Sequence, residues 1–385
     1  MKTITTIALF FVGIAINFAQ ISNVNTWAYQ LQNIDITAIT ANNTFDLIVM
    51  DYSQDGTDAQ KFTSAQIQQI KDSGKLAICY ISIGEAEDYR YYWQSSWNTT
   101  PPAWLGAENP DWAGNYKVKY WDTDWQNIVF DYVDTIIAQG FDGIYLDIID
   151  GYYYWTEEAP ASDLEPFADT LMVDFVYKLR QHIDNATANT FYIIPQNGAM
   201  VVDDANGSAA LRAKYFSAID AIGVEDVFFY GNLDMNNDYN PDNDRIAILT
   251  DYNNAGKKVF SIEYLSDQPK IDQFVNVAAT NGFVPYVCVR DLDELCDGID
   301  VSVQDIAKSN EEITVYSKAN IIYVNSTKTI EYYTVFNMKG QTILEDGYNS
   351  KTFQIQLEPN YEGMVIVEFG DDNFEIRKKI VITKE

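Results

Sequence analysis

The chain has 385 residues, with 56 acids against 25 bases and a formal charge of −31, which disfavours nucleic acid and anionic membrane surfaces as partners. At 47% hydrophobic and 14% aromatic it is globular rather than disordered, and long enough for more than one domain. The charge permits a cationic ligand, although an acidic surface that keeps an exported protein soluble accounts for it without any specific role.

Residues 1–19, MKTITTIALFFVGIAINFA, combine one early lysine with an apolar stretch too short to span a bilayer comfortably, closing on Ala19 before Gln20. This pattern predicts a secretory signal peptide. No other segment has the length and apolarity of a transmembrane helix, so the mature protein is expected to have no membrane span and to be secreted or held at the cell surface.

Short apolar runs then alternate with helix-like stretches. The runs begin at Trp27, Phe45, Leu76, Phe141, Phe191, Ala218, Val259 and Val284, eight in all. SAQIQQIKDSG from Ser64 reads as a helix stopped by Gly74. Residues 166–184 read as another, with Phe167, Leu171, Phe175, Leu179 and Ile183 on one face. Eight alternations predict an α/β fold, a (β/α)8 TIM barrel over residues 20–307, rather than an open doubly wound sheet. No G-x-G-x-x-G or P-loop sequence follows any run, so no nucleotide cofactor is expected.

From about Lys308 the pattern changes to short alternating strands, IIYVNS, TIEYYTVFNM, TFQIQLE, GMVIVEF and KKIVITKE, with turn signals at Lys339-Gly340 and Asp346-Gly347. Residues 308–385 therefore read as a small all-β sandwich. It has no tryptophan, whereas all eight in the chain fall between Trp27 and Trp155.

The run GFDGIYLDIID over 140–150 is the most informative. A parallel strand buried on both faces reads as a continuous apolar run, and Asp147 at its end stands where a barrel enzyme places its chemistry. Six of the other seven runs close in the same way, on Asp51, on Glu85 and Glu87, on Asn197, on Glu225 and Asp226, on Glu263 and on Arg290, while Asp150 follows Asp147.

A ring of acids restricts the reaction. The single histidine, His182, falls near the end of a predicted helix, a routine structural place. A Ser-His-Asp triad, a Cys-His pair and a histidine-rich zinc site are all disfavoured. LDMNNDYNPDND from Leu233 lacks the glycine and the terminal glutamate of an EF-hand, and reads as a loop ending in a helix cap before Arg245. No metal is expected. Glycoside hydrolysis needs only two carboxyl groups, one to protonate the leaving oxygen and one to attack or to activate water. Burial and like charge would equip one of them as proton donor.

Aromatic residues supply a second argument, since sugars present apolar C–H faces. Trp93, Trp97, Trp104, Trp112, Trp121 and Trp125 cluster after the third run, and Tyr152, Tyr153, Tyr154 and Trp155 follow the fourth. Any one of them can be core, but as a group flanking Asp147 they read as sugar subsites, Trp93 among them. Cys288 and Cys296 are close enough to pair across a loop; a disulfide and free thiols both stay open, and Cys79 reads as a buried thiol.

The order WAYQLQ, FDLIVMDY, AICYISIGEAEDYRYYW, GFDGIYLDIID, IGVED, SIEYL and YVCVRDLD resembles glycoside hydrolase family 114 over residues 24–296. The resemblance implies a (β/α)8 barrel with endo-α-1,4-polygalactosaminidase activity, Asp147 as nucleophile and Glu225 as acid/base. It places Asp51, Glu85, Arg90, Asn197 and Arg290 on the pocket wall. Glu263 stands before Tyr264 where the family usually shows Asp before a tyrosine. Asp150, Glu263 and Tyr264 are carried as further substrate contacts. The implied partner is a polysaccharide, a cationic amino-sugar polymer that a cleft of carboxylates would attract.

The segments YTVFNMKGQTILEDGYNSKTFQIQL and YEGMVIVEFGDDNFEIRKKIVITKE resemble the type IX secretion sorting domain of Bacteroidetes, which implies the type IX secretion machinery as a second partner. A carbohydrate-binding or spacer sandwich is the alternative there. For the barrel, the alternatives are a glycosidase acting on another glycan and a non-catalytic surface glycan-binding protein.

Overall fold

The chain divides into two compact units, Met1–Val301 and Ser302–Glu385. The computed structural model describes residues 20–299 except 206, and residues 313–382 except 319, 338–340, 359–360, 362 and 371–374. The expected signal peptide, the expected boundary at 308 and the Lys339-Gly340 turn lie outside these residues.

In the first unit the eight apolar runs become eight parallel strands. β1 (Trp27–Gln30), β2 (Leu47–Met50) and β3 (Leu76–Ser82) come first. A small antiparallel sheet that the sequence did not announce follows: β4 (Glu85–Glu87), β5 (Leu105–Glu108) and β6 (Asn115–Val118), in the order β4-β6-β5. Then come β7 (Gly143–Asp147), β8 (Tyr192–Pro195), β9 (Ala221–Glu225), β10 (Lys258–Glu263) and β11 (Val284–Val287).

The parallel strands form one sheet of order β1-β2-β3-β7-β8 and one of order β11-β10-β9. A lone parallel bridge, Gln196 to Gly223, links β8 with β9. Between β1 and β11, the Trp27 indole N–H donates to the Val284 carbonyl at 3.0 Å. Rings from both sheets meet inside: Trp27 lies 5.4 Å from both Phe260 and Tyr286, and Tyr29 lies 5.2 Å from Tyr145. The fold is (β/α)8-like.

Every connection between successive parallel strands holds a helix: α1 (Ile36–Ala41), α2 (Ser64–Asp72), α3 (Thr123–Gln139), α4 (Ala168–Ala186), the pair α5 (Val201–Asp204) and α6 (Ala209–Ala218), α7 (Asn243–Asn254) and α8 (Gln268–Thr280). α2 starts on a capping box between Thr63 and Gln66, and Gly74 beyond its end takes φ +90°, as expected of a helix stop. α4 begins later than expected. Phe175, Leu179 and Ile183 are buried, but Phe167 precedes the helix and is 55% exposed. At 3.6 residues per turn a strict four-residue repeat rotates by about 40° per step, so one end of the row leaves the buried face.

The second unit is one antiparallel sheet of β12 (Ile313–Lys318), β13 (Ile321–Asn337), β14 (Thr342–Gln356), β15 (Gly363–Gly370) and β16 (Glu375–Ile382). Its order is β12-β13-β15-β16, with β14 also on β13. Two segments expected as separate strands, IIYVNS and TIEYYTVFNM, form the single long β13. Asp346-Gly347, expected as a turn, lies within β14 opposite Tyr333 and Tyr332, where a register shift absorbs the extra residue. Alternate residues Val365, Val367 and Phe369 of β15 join Ile322, Val324, Val335 and Phe353 in a core.

Candidate active site

The carboxyl ends of the parallel strands open into a cleft of about 760 Å³ lined by eight carboxylates and two guanidinium groups. Three residues just past strand ends, Ile148, Asn197 and Asp226, have left-handed backbones with φ of 61°, 55° and 52°. For a β-branched residue such as Ile148 this costs on the order of 1–3 kcal/mol and persists only where the surroundings enforce it. Backbone strain thus gathers beside Asp147 and Glu225.

Asp147 ends β7. One carboxylate oxygen accepts from the Tyr80 hydroxyl at 2.6 Å, and the other from the Ile148 N–H at 2.8 Å. Burial pushes its pKa up to about 8; the Tyr80 hydroxyl opposes that rise, and the charge of Glu225 adds to it. Glu225 ends β9. Its two oxygens accept from the Asn197 amide at 2.9 Å and from the Tyr264 hydroxyl at 2.5 Å. Asn197 is itself oriented: its oxygen accepts from the Glu225 N–H at 3.2 Å and from Arg245 at 3.1 Å. At Gly223, within β9, a Cβ atom would sit 1.9 Å from the Tyr145 hydroxyl oxygen, so no side chain fits there. Below the pair, Tyr29 donates to the Gln196 side-chain oxygen at 3.2 Å.

Around this floor the other acids are held differently. Arg90, almost wholly buried, pairs with Asp51 at 2.7 Å and Glu87 at 2.7 Å. Burial raises the Asp51 pKa while Arg90 pulls it down. Glu85 accepts from Lys117 at 2.5 Å and from Asn109 at 2.9 Å, which ties it to the β5–β6 hairpin. Arg290 holds Asp226 at 2.9 Å and covers the Tyr264 ring, with its guanidinium 4.1 Å from the ring centre. Asp150 lines the cleft as well, and burial followed by the charge of Glu225 pushes it up to about 6.

Asp51, Glu85, Arg90, Asp147, Asp150, Asn197, Glu225, Tyr264 and Arg290 all line this one cleft. Two expected contacts do not. Glu263 points away and accepts from the N–H groups of Val227 at 2.9 Å and Phe228 at 2.7 Å, fixing the turn after β9; burial pushes its carboxyl up to about 8. Successive strand residues face opposite ways, so when Tyr264 reaches Glu225 its neighbour Glu263 cannot. Trp93 packs at 4.9 Å on Tyr116 and 5.1 Å on Trp97, and donates to Asn98 at 3.2 Å. Of the other expected aromatic subsites, Trp104, Trp125, Trp155 and Tyr152 are buried, and Trp97, Trp121 and Tyr154 pack half-buried against the core. His182 stacks on Phe130 at 4.7 Å and pairs with Asp134, a structural place. Asp242 caps α7 by accepting from the Arg245 N–H at 3.0 Å, and Cys288 and Cys296 are bridged.

Residues 15–307 match the family described as glycoside-hydrolase family GH114. The chain belongs to that family. An uncharacterised protein of Methanocaldococcus jannaschii is 43% identical over 279 residues, 70% of this chain and 77% of its own. One from Thermotoga maritima is 37% identical over 278 residues, 70% and 82% of the two chains. Among solved structures, the glycoside hydrolase domain of PelA from Pseudomonas aeruginosa superposes with a TM-score of 0.54 at 16% identity, over 72% of this chain and 98% of that one. Aspergillus fumigatus Ega3, solved in complex with galactosamine, gives 0.52 at 17%, over 71% and 95%. At that identity the likeness speaks to fold alone.

Most glycoside hydrolases work with two carboxyl groups, and this cleft presents Asp147 and Glu225. Tyr80 bonds Asp147, and Arg245 bonds Asn197 and the Glu225 carbonyl, yet neither was singled out as a site residue in the sequence. Tyr80 sits inside an apolar run that reads as plain strand. Only the register of β3 against β7, with Ser82 opposite Asp147, brings its hydroxyl to the acid.

Proposed function

We propose that this GH114 chain is a secreted glycoside hydrolase that cleaves α-1,4-linked galactosamine-containing polysaccharide, with Asp147 as nucleophile and Glu225 as acid/base. The observation that carries the reading is the pair itself: two carboxylates at the ends of β7 and β9, on either side of β8, each gripped by a neutral tyrosine hydroxyl rather than by a cation. An acid paired with a cation is committed to structure, whereas one held by neutral donors keeps its charge and proton available.

Glu225 would protonate the leaving oxygen while Asp147 attacks the anomeric carbon. Glu225 would then take a proton from the water that releases the sugar. The nucleophile must be ionised, and burial opposes this in the empty cleft. A sugar bearing an ammonium group would favour the ionised form, which, with the excess of carboxylates in the cleft, supports a cationic substrate. The galactosamine held by Ega3 fits the same reading.

We further infer that the two parallel sheets close into a barrel, supported by the Gln196–Gly223 bridge and the Trp27–Val284 hydrogen bond. The proposed domains are a signal peptide over 1–19, the barrel over 20–307, and a type IX sorting domain over 308–385. The Cys288–Cys296 bridge agrees with an oxidising compartment outside the cytoplasm.

Product release from partly deacetylated α-1,4-galactosaminan tests the reading. The parent should yield oligosaccharides, with Asp147→Asn and Glu225→Gln folded but slower by roughly 10³-fold or more. Raising salt should weaken cleavage of the cationic polymer, through KM first. A parent that releases nothing while binding other glycans would point instead to another substrate or to plain binding.

A further inference from the structure

Seven of the eight tryptophans rest against another aromatic ring. Trp112 is the exception: it is 61% exposed, lines the cleft, and among the described residues no ring lies against it. An indole left in water at the rim of a cleft is an apolar face that lacks a partner.

Its backbone is fixed. The Trp112 N–H donates to the Asn109 carbonyl at 3.3 Å, the Asn115 N–H to the Trp112 carbonyl at 3.1 Å, and the Asp88 N–H to the Gly114 carbonyl at 2.9 Å. The Asn109 and Lys117 side chains both bond Glu85, the acid expected on the pocket wall. Glu85 is wholly buried, so it acts as the fastener that holds the β5–β6 hairpin, and with it the indole, at the cleft.

We propose that Trp112 is a sugar-stacking platform for a residue of the polymer outside the one being cleaved, and that the hairpin fastened by Glu85 presents it. The apolar C–H face of a pyranose covers the indole, and an ammonium group on that sugar gains further from the negative ring face in a cleft rich in carboxylates. Holding the hairpin rigid removes part of the ordering cost of binding. The proposal rests on the galactosaminan reading above and adds a position that reads chain length.

The test compares the full chain with Trp112→Ala and Trp112→Phe on long galactosaminan and on short oligomers. Trp112→Ala should raise KM on the polymer by about threefold to tenfold with kcat little changed, and should alter short oligomers less; Trp112→Phe should recover most of the loss. If the parent cleaves the polymer and Trp112→Ala does so with the same KM, the platform is wrong and the hydrolase reading stands. If the parent cleaves nothing, the hydrolase reading fails, and calorimetry decides the platform separately. Asp147→Asn should then bind long galactosamine oligomers more tightly than Asp147→Asn with Trp112→Ala. Equal binding, or no binding by either, overturns it.

Discussion

Two groups of acids share the mouth of the first unit, and their partners separate them. At one corner Asp51 and Glu87 flank Arg90, buried to within a few percent, each at 2.7 Å. On the floor, Asp147 and Glu225 are held by Tyr80, Tyr264 and Asn197, all neutral. The corner sets one guanidinium between two carboxylates and acts as a brace. Among the described residues no cation bonds either floor carboxyl group, and burial, with the charge of Glu225 adding to it, raises Asp147; on the proposed reading the pair is then free to exchange a proton with substrate. Burial alone therefore does not mark a reactive acid; what the partner is does.

The contrast can be broken most severely at the corner. Arg90→Met should destabilise the fold by about 3–5 kcal/mol, because it strands two buried carboxylates, read as a fall in denaturation midpoint. Adding Asp51→Asn and Glu87→Gln should recover much of that loss. If Arg90→Met kept its midpoint, the brace reading would be wrong.

On the floor, Tyr80→Phe should leave the fold intact and lower kcat/KM by roughly 10- to 100-fold at neutral pH, the worth of a hydrogen bond to a charged group. The hydroxyl favours ionised Asp147, so its loss raises that pKa further. With a nucleophile that must be ionised, the ascending limb of kcat/KM should lie near the Asp147 pKa of about 8 in the parent and at higher pH in the variant. The deficit should therefore shrink as pH rises, and an unshifted limb would remove Asp147 as the group responsible.

A smaller effect falls on stability. Asp147 and Glu263 both stand near 8 when folded, against about 4 when unfolded. The folded chain binds the extra protons, so this contribution is fully present below the unfolded values and is lost as pH climbs through about 8. Asp147→Asn should flatten that decline by an amount on the order of 1 kcal/mol, visible as a higher melting temperature at pH 9 and little change at pH 5. Equal shifts at both pH values would assign the gain to packing instead.

Asp147 and Glu225 were legible because a strand buried on both faces reads as unbroken apolar sequence, so a terminal carboxylate stands out. The same signal misled at Glu263, because an acid at a strand end can face the cleft or the layer behind it. Trp93 misled for a related reason: an aromatic-rich loop has the same composition whether its rings pack on each other or await a sugar. Trp112 differs from its neighbours in exposure, which composition does not record. The β4–β6 sheet was missed because its strands are three or four residues long with little alternation.

The sequence by itself determined the eight apolar runs, the helices between most of them, the change to alternating strands in the second unit and the acids that close the runs. Periodicity and burial are local enough to be written in neighbouring residues. Tertiary structure decided which acids share a cleft, which receive a cation and which a hydroxyl, and which tryptophan stays bare. Those depend on the register of strands such as β3 against β7, and on contacts such as Asp51 to Arg90 across 39 residues. A side chain's charge and reach are fixed by its own chemistry, but its partner is fixed only when distant segments pack.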